Sequence, residues 1–395
     1  MYRWIPISLI FANFWGVFVL NYIFHTEWYL IPINDYTNEV FSELFIISLI
    51  LLFIGIFCFK LERRTVNVDY KISNTLIFKL IFCFFLIFYL SRINFSLDNT
   101  LRGVGQFDLE NRAGFIDSLG LFSIPFILFS LYYKIFGNKT NKLIAFLCFI
   151  MILAGITNGG RRTVSYLFIS LSIFFYYFSD IKIKSILKYG IAATALLSFA
   201  MFARDINNSV ENSRFEFMFS LLQANSDPSI LWAVKAYEAR GFGLSPLIFM
   251  GHFWSIFIPS FIYSHFTGQL SYLRGSLYFD KLFNTNPNMG YDFMVLADYY
   301  WCFGYFGYFL FICMILFVFR YFKKHIYCKD GYKAIAGIIM IMYLCQQRND
   351  FGAVLKPIVY SYFFLWILNK ISKPRIIDNP HTVTSICLQE KISDR

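Results

Sequence analysis

Residues 320–370 read RYFKKHIYCKDGYKAIAGIIMIMYLCQQRNDFGAVLKPIVYSYFFLWILNK, and the order of events in that stretch decides the fold. A join dense in lysine ends at Lys333. An apolar run follows to Cys345. A short polar join, QQRND, carries an arginine and no lysine, and a second apolar run then ends at Lys370. Apolar runs closed alternately by lysine-rich and lysine-poor joins are the mark of helices that cross a membrane.

The same pattern runs outward along the chain. Spans are predicted at roughly 5–23, 40–59, 73–91, 115–133, 143–158, 163–179, 188–203, 294–319, 333–345 and 351–369, about ten in all. Composition agrees: the 395 residues are 58% hydrophobic and 15% charged, where a soluble domain is about a quarter charged. The first run is too long and too aromatic for a cleavable signal peptide and lacks a small-x-small cleavage site, so it reads as a span. The predicted fold class is an all-α polytopic membrane protein. Residues 1–203 form an N-terminal bundle of about seven spans, 204–293 a long outer loop, 294–369 about three C-terminal spans, and 370–395 a tail.

Charge fixes the orientation. The joins Lys60–Lys71, Lys134–Lys142, Lys182–Lys188, Arg320–Lys333 and Lys370–Arg375 are cytoplasmic by the positive-inside rule, and both termini fall on that side. The inner side holds 16 Lys and 6 Arg against 7 acids, the outer side 3 Lys and 10 Arg against 17 acids. The net charge of +11 therefore reflects topology and not nucleic-acid binding. It leaves ten arginines on the face that should be poor in positive charge. The eight cysteines lie in spans, at their ends, or in inner segments, and imply no disulfide framework. No CxxC or HExxH occurs, so no metal site and no cofactor is expected.

The outer loop from Arg204 to Asp292 is long enough to fold. Ser226 and Asp227 can cap a helix there, with Pro228 in its first turn and Gly241 at its end. Leu244–Tyr263 is apolar but broken by Pro246, Gly251 and Pro259, and is either re-entrant or a helical pair.

Several constellations could hold an anion. Arg161 and Arg162 follow Gly159 and Gly160 in the hairpin NGGRR, where two guanidiniums can fork onto phosphate or carboxylate oxygens. The plainer explanation is snorkelling to lipid headgroups. Arg348 and Asp350 sit in QRND, as ligands or as a mutual ion pair capping the helices. Lys356 lies inside an apolar run, where a charge is costly unless it faces a cavity or a carboxylate. Arg204 and Asp205 close the seventh span, and Arg214, Arg240 and Arg274 lie in the long loop. Each alone is an ordinary surface charge, but as a set they could line a cationic cavity, with Arg240 the best placed just before GFG. Asp298 is an acid at the start of an apolar span, a functional candidate by default. His252 falls in the broken apolar element and His265 two residues past its end, where a lone His is more often a hydrogen-bonded structural group than a base. No DxD occurs, so any diphosphate would be held by guanidinium and not through a metal.

These features together resemble the oligosaccharide repeat-unit polymerases, the O-antigen polymerase family of bacterial membranes. The likeness rests on GGRR at Gly159–Arg162, the long outer loop in the second half, and the following span with an acid and FGxxG, Asp298-YYWC-Phe303-Gly304-YF-Gly307. The closing RND at Arg348–Asp350 adds to it. Asp298 stands where family members often have Glu, and Cys302 where they often have Asn. The resemblance implies a metal-independent membrane glycosyltransferase at the periplasmic face of the cytoplasmic (inner) membrane. Two undecaprenyl-diphosphate-linked oligosaccharides would be its donor and acceptor, with a chain-length regulator as a further partner. A hydroxyl of the incoming unit attacks the anomeric carbon of the growing chain, and lipid diphosphate leaves. Arg161, Arg162, Arg204, Arg240 and Arg348 would hold the diphosphates, with Asp298, Asp350 or His252 as the acid–base group or its orienter.

Four rivals remain, one of them a structural membrane subunit with no chemistry, against which the wrong-side arginines argue. A flippase for the same glycan would carry arginines through a central pathway and often a two-fold repeat. An O-antigen ligase is expected to use a histidine near the equivalent FGxxG, where this chain has Asp292 and Phe293. An O-acyltransferase would want a buried histidine, which keeps His252 in view.

Overall fold

The computed structural model describes residues 70–93, 120–157, 161–179, 295–326, 330–345 and 351–376, with isolated positions between 46 and 53 and at 257–258. Among these residues the protein is a helical bundle. In chain order the helices are α1 (Thr75–Leu90), α2 (Ser123–Tyr133), α3 (Thr140–Thr157), α4 (Arg161–Phe178), α5 (Val295–Phe303), α6 (Tyr305–His325), α7 (Gly331–Cys345) and α8 (Phe351–Ser372). Two-residue strands flank them: β1 (Tyr70–Lys71) pairs antiparallel with β2 (Arg375–Ile376), Tyr70 opposite Ile376 and Lys71 opposite Arg375.

Three stretches are long and apolar enough to cross a membrane by themselves: Gly137–Gly155, Tyr305–His325 and Val354–Ser372. The remaining long helices are shorter but as apolar, and they pack on these. The predicted spans at 73–91, 143–158, 163–179, 333–345 and 351–369 each coincide with one helix, and α2 with the turn before it covers most of 115–133. The spans at 5–23, 40–59 and 188–203 lie wholly or largely outside the described residues.

Helices α2 and α7 form the centre. From Ser123 to Ser130 every residue of α2 is buried. In α7 the buried set Ile335, Ile338, Ile339, Ile341 and Met342 runs round the whole helix. Such all-round burial needs a jacket, and α1, α3, α4, α6 and α8 supply it. The jacket helices are apolar on both faces. On α1 the inner face is Phe78, Phe82 and Phe85, while Leu76, Leu80, Phe84 and Ile87 stand exposed on the other. Phe146 and Phe149 on α3, Phe306, Phe309 and Phe317 on α6, and Phe363 and Trp366 on α8 continue that exposed surface. A soluble protein does not leave so extensive an apolar surface open to water, whereas lipid is its natural solvent. This is a helical membrane protein.

The helix ends gather into two groups. At one end Tyr70 meets the rings of Tyr132 and Tyr133, at 5.9 and 4.8 Å between centroids. Tyr132 meets Phe178 at 5.3 Å, and Tyr177 meets Phe322 at 5.2 Å. Asn74 Nδ2 donates to the Ile371 carbonyl at 2.9 Å, and the Ser73 amide to the Ser372 carbonyl at 3.0 Å. These bonds and the strand pair tie the start of α1 to the end of α8. Burial here pushes the Tyr70 phenol above its ordinary value, with a hydrogen bond to Tyr132 opposing and Asp330 adding to the rise.

The stretch predicted as a single span, 294–319, differs. It is broken at Gly304 into α5 and α6, and α6 continues to His325. Gly304 has φ +60° and ψ −140°, a region open only to glycine. The chain doubles back there. Tyr300 meets Tyr308 at 4.9 Å and Tyr299 meets Phe311 at 6.2 Å, while Tyr299 Oη reaches Met314 Sδ at 3.5 Å. So α5 lies antiparallel along the first turns of α6. The close approach depends on Gly307, where a Cβ would fall on the Tyr299 carbonyl.

Candidate functional site

The second group of helix ends holds the end of α1 and the starts of α2 and α4, with the last turn of α7. Tyr89, in the last turn of α1, has its hydroxyl 2.8 Å from Ser123 Oγ at the start of α2. Ser123 donates onward to the Gly120 carbonyl at 2.7 Å. Tyr166 in α4 and Tyr343 in α7 are in ring contact, 4.8 Å between centroids. Tyr343 also lies within electrostatic reach of Tyr89. Four helix ends therefore converge on one cluster of tyrosines and a serine.

The cluster lies beside the start of α4, where one predicted site begins. Arg161 and Arg162 are the first two residues of α4. Arg162 precedes Tyr166 by four residues, one turn, and so occupies the same helix face. Tyr343 lies two residues before the end of α7 at Cys345, and α8 resumes at Phe351. Arg348 and Asp350 belong to the link between, which lies outside the described residues, but both of its anchors are described. The Tyr166–Tyr343 contact thus sets the first turns of α4 beside the last turn of α7. An arginine at a helix N-terminus adds its charge to the positive end of the peptide dipole, and both favour an anion there.

Asp298 is the predicted site residue whose environment is described most fully. It sits in the first turn of α5 and is 3% exposed. The turn at Gly304 carries it back along α6, so it lies inside the protein and not at the end of a straight span. Helix α5 packs on α8 as well as α6. On α8, Lys356 donates from Nζ to the Ile258 carbonyl at 2.9 Å, and its ammonium stands 5.9 Å from the centre of the Tyr360 ring. One residue on, Pro357 is buried inside the helix. It has no amide hydrogen, so the turn before it lacks one intrahelical bond.

His252, Arg204 and Arg240 fall outside the described residues, as do Asp205, Arg214, His265 and Arg274. Sequence reasoning missed the tyrosine cluster. Tyrosine is common throughout this chain and frequent at membrane interfaces, so Tyr89, Tyr166 and Tyr343 did not stand out. It also missed Arg92, whose guanidinium stands 4.3 Å over the Phe88 ring at the same end. The signal available was position: each lies within one turn of a predicted outer helix end. Among the described residues no group of three His, Cys, Asp or Glu side chains could hold a metal ion.

What fold and site define together is a helical membrane protein with tyrosines, a serine and the Arg92 guanidinium gathered at one end of its bundle. No family model, no curated protein and no solved structure matches the chain.

Proposed function

We propose that this protein polymerises polyprenyl-diphosphate-linked oligosaccharide repeat units into a surface polysaccharide at the outer face of a bacterial cytoplasmic membrane. The observation that carries the reading is the Tyr166–Tyr343 contact, which brings the Arg161–Arg162 helix start beside the anchor of the Arg348–Asp350 link. In this reading three guanidiniums gather there, which suits a pair of lipid diphosphates better than isolated surface charges do. In this reading the chain has about ten spans and both termini in the cytoplasm, and the lysine-rich joins support that orientation.

The chemistry asked of the chain is modest. Guanidiniums in a partly dry site stabilise charge on the departing diphosphate, and no metal is needed for that. A carboxylate, Asp298 or Asp350, takes the proton from the attacking hydroxyl or orients it. Arg204, Arg240 and His252 are assigned to the outer wall of the same site. Membrane lipids surround the bundle, a chain-length regulator is the expected protein partner, and nucleic acid is not.

The test is the length distribution of surface glycan in a strain lacking this gene, complemented with wild type, Arg161→Ala or Arg348→Ala. Polymerase activity predicts a ladder with wild type and a single repeat unit with either variant. Loss of all repeat-unit display would point to export or ligation. A full ladder of altered modification would point to an acyltransferase.

A further inference from the structure

The hydrogen bond between Lys356 and the Ile258 carbonyl joins residues 98 apart in sequence. Its acceptor belongs to the broken apolar element 244–263, which the sequence leaves open between a re-entrant segment and a helical pair. Phe257 is helical and Ile258 is bent out of the helix. Pro259 explains the bend, because a residue before proline is pushed out of the α region. Carbonyls at such a helix end have no amide four residues on to bond with, and they carry the negative end of the peptide dipole. A lysine ammonium, with three donors and a positive charge, matches that need.

The position is a costly one for a lysine. Lys356 stands in an apolar helix one residue before a buried proline, half-buried, with the Tyr360 ring beside its ammonium. Backbone that leaves the helix at membrane depth is tolerated only where protein or a water-filled cavity satisfies it, and Lys356 supplies such a partner. Helix α8 also packs on α5, the helix that carries Asp298.

We propose that Lys356 is a positioning residue: its ammonium clasps the Ile258 carbonyl and so fixes the Phe257–Ile258 turn of the outer-loop element against α8, next to the helix of Asp298. The anchoring stands on geometry alone. Its consequence for activity rests on the polymerase reading.

Labelling separates the two. The reporter is Ile258→Cys in full-length protein in membranes. Its reaction with a membrane-impermeant maleimide is followed, subtracting the signal of the same protein without that substitution. Ile258 is 37% exposed, so with Lys356 present the protein labels at a measurable, slow rate that sets the baseline. In Lys356→Met it rises about tenfold, and in Lys356→Arg, which keeps a donor of similar reach, it stays near the original. Methionine suits an apolar helix, so loss of the protein from the membrane is not expected; a second cysteine at position 137 reports correct insertion in each variant. Equal labelling at position 258 in all three proteins overturns the proposal. The glycan ladder, read on the same variants with Ile258 intact, should shorten in Lys356→Met and recover in Lys356→Arg. Arg161→Ala should abolish the ladder and leave labelling at position 258 slow. If it leaves the ladder intact while Lys356→Met still exposes position 258, the anchor stands and the polymerase reading falls.

Discussion

Gly304 and Gly307 lie three residues apart and do different work. Gly304 takes a backbone conformation closed to other residues, and Gly307 removes the side chain that would strike the Tyr299 carbonyl. Gly304→Ala should cost about 1–3 kcal/mol from backbone strain, read as a lower melting temperature in detergent. Gly307→Ala should cost more, because a backbone atom cannot rotate aside; an unchanged melt for both would mean that α5 does not fold onto α6. Asp298 invites the opposite experiment. Burying a carboxylate away from water is costly, so Asp298→Asn should melt no lower than wild type, and higher if the carboxylate is charged. If the polymerase reading holds, the same variant loses the ladder; a full ladder would remove Asp298 from the site. Both glycines and the acid were legible in the sequence. The fold-back was not, because FGYFGYFLF is apolar throughout and hydropathy does not register a change of direction inside an apolar run.

At the scale of elements, α7 shows what apolar runs can and cannot tell. Its 15 residues span about 22 Å at 1.5 Å per residue, short of a hydrocarbon core of about 30 Å. A helix facing lipid would be mismatched at that length, but α7 faces protein all round. Its existence was legible from the run 333–345; its central place was not, since burial in protein and exposure to lipid ask for the same apolar residues. Close packing of α7 on α6 depends on Gly337, where an added Cβ would stand 2.7 Å from Phe322 Cδ2 and 3.2 Å from its Cα. Small residues at such crossings let backbones approach. Gly337→Leu should therefore force the two helices apart and destabilise the protein by several kcal/mol, by analogy with overpacked cores, seen as loss of the monodisperse peak in detergent chromatography. Gly137 makes a control: it has nothing within 4 Å of a built Cβ but keeps a positive φ of 58°, so Gly137→Asn should be mild.

At the scale of the whole molecule, the arrangement of ends leads to a topology test. The joins carrying Gly137 and Asp330 are assigned to the cytoplasm, and the hairpins at Arg161 and Arg348 to the opposite side. Single cysteines at 161 and 348 should react with an impermeant maleimide from outside intact cells, and cysteines at 137 and 330 only after the membrane is opened. Reaction of position 161 from inside would remove the basis of the anion site. Which runs are helical was legible, because apolar length is a one-dimensional signal; the sidedness rests on lysine placement alone. The contact between α4 and α7 was not legible, since Tyr166–Tyr343 joins residues far apart in the chain and involves a residue type abundant everywhere.

The clasp between the start of α1 and the end of α8 also bears on how the protein is made. Asn74 and Ile371, its hydrogen-bonded partners, are 297 residues apart. At synthesis rates of about 5–20 residues per second, α1 waits roughly 15–60 s in the bilayer before its partner leaves the ribosome. Through that interval α2, buried from Ser123 to Ser130 in the finished bundle, lacks part of its jacket, and α7 itself appears only near the end. Newborn chains are therefore at their most vulnerable to membrane proteases in the middle of translation. A message truncated before the last helix would yield a protein that inserts, fails to close, and is cleared.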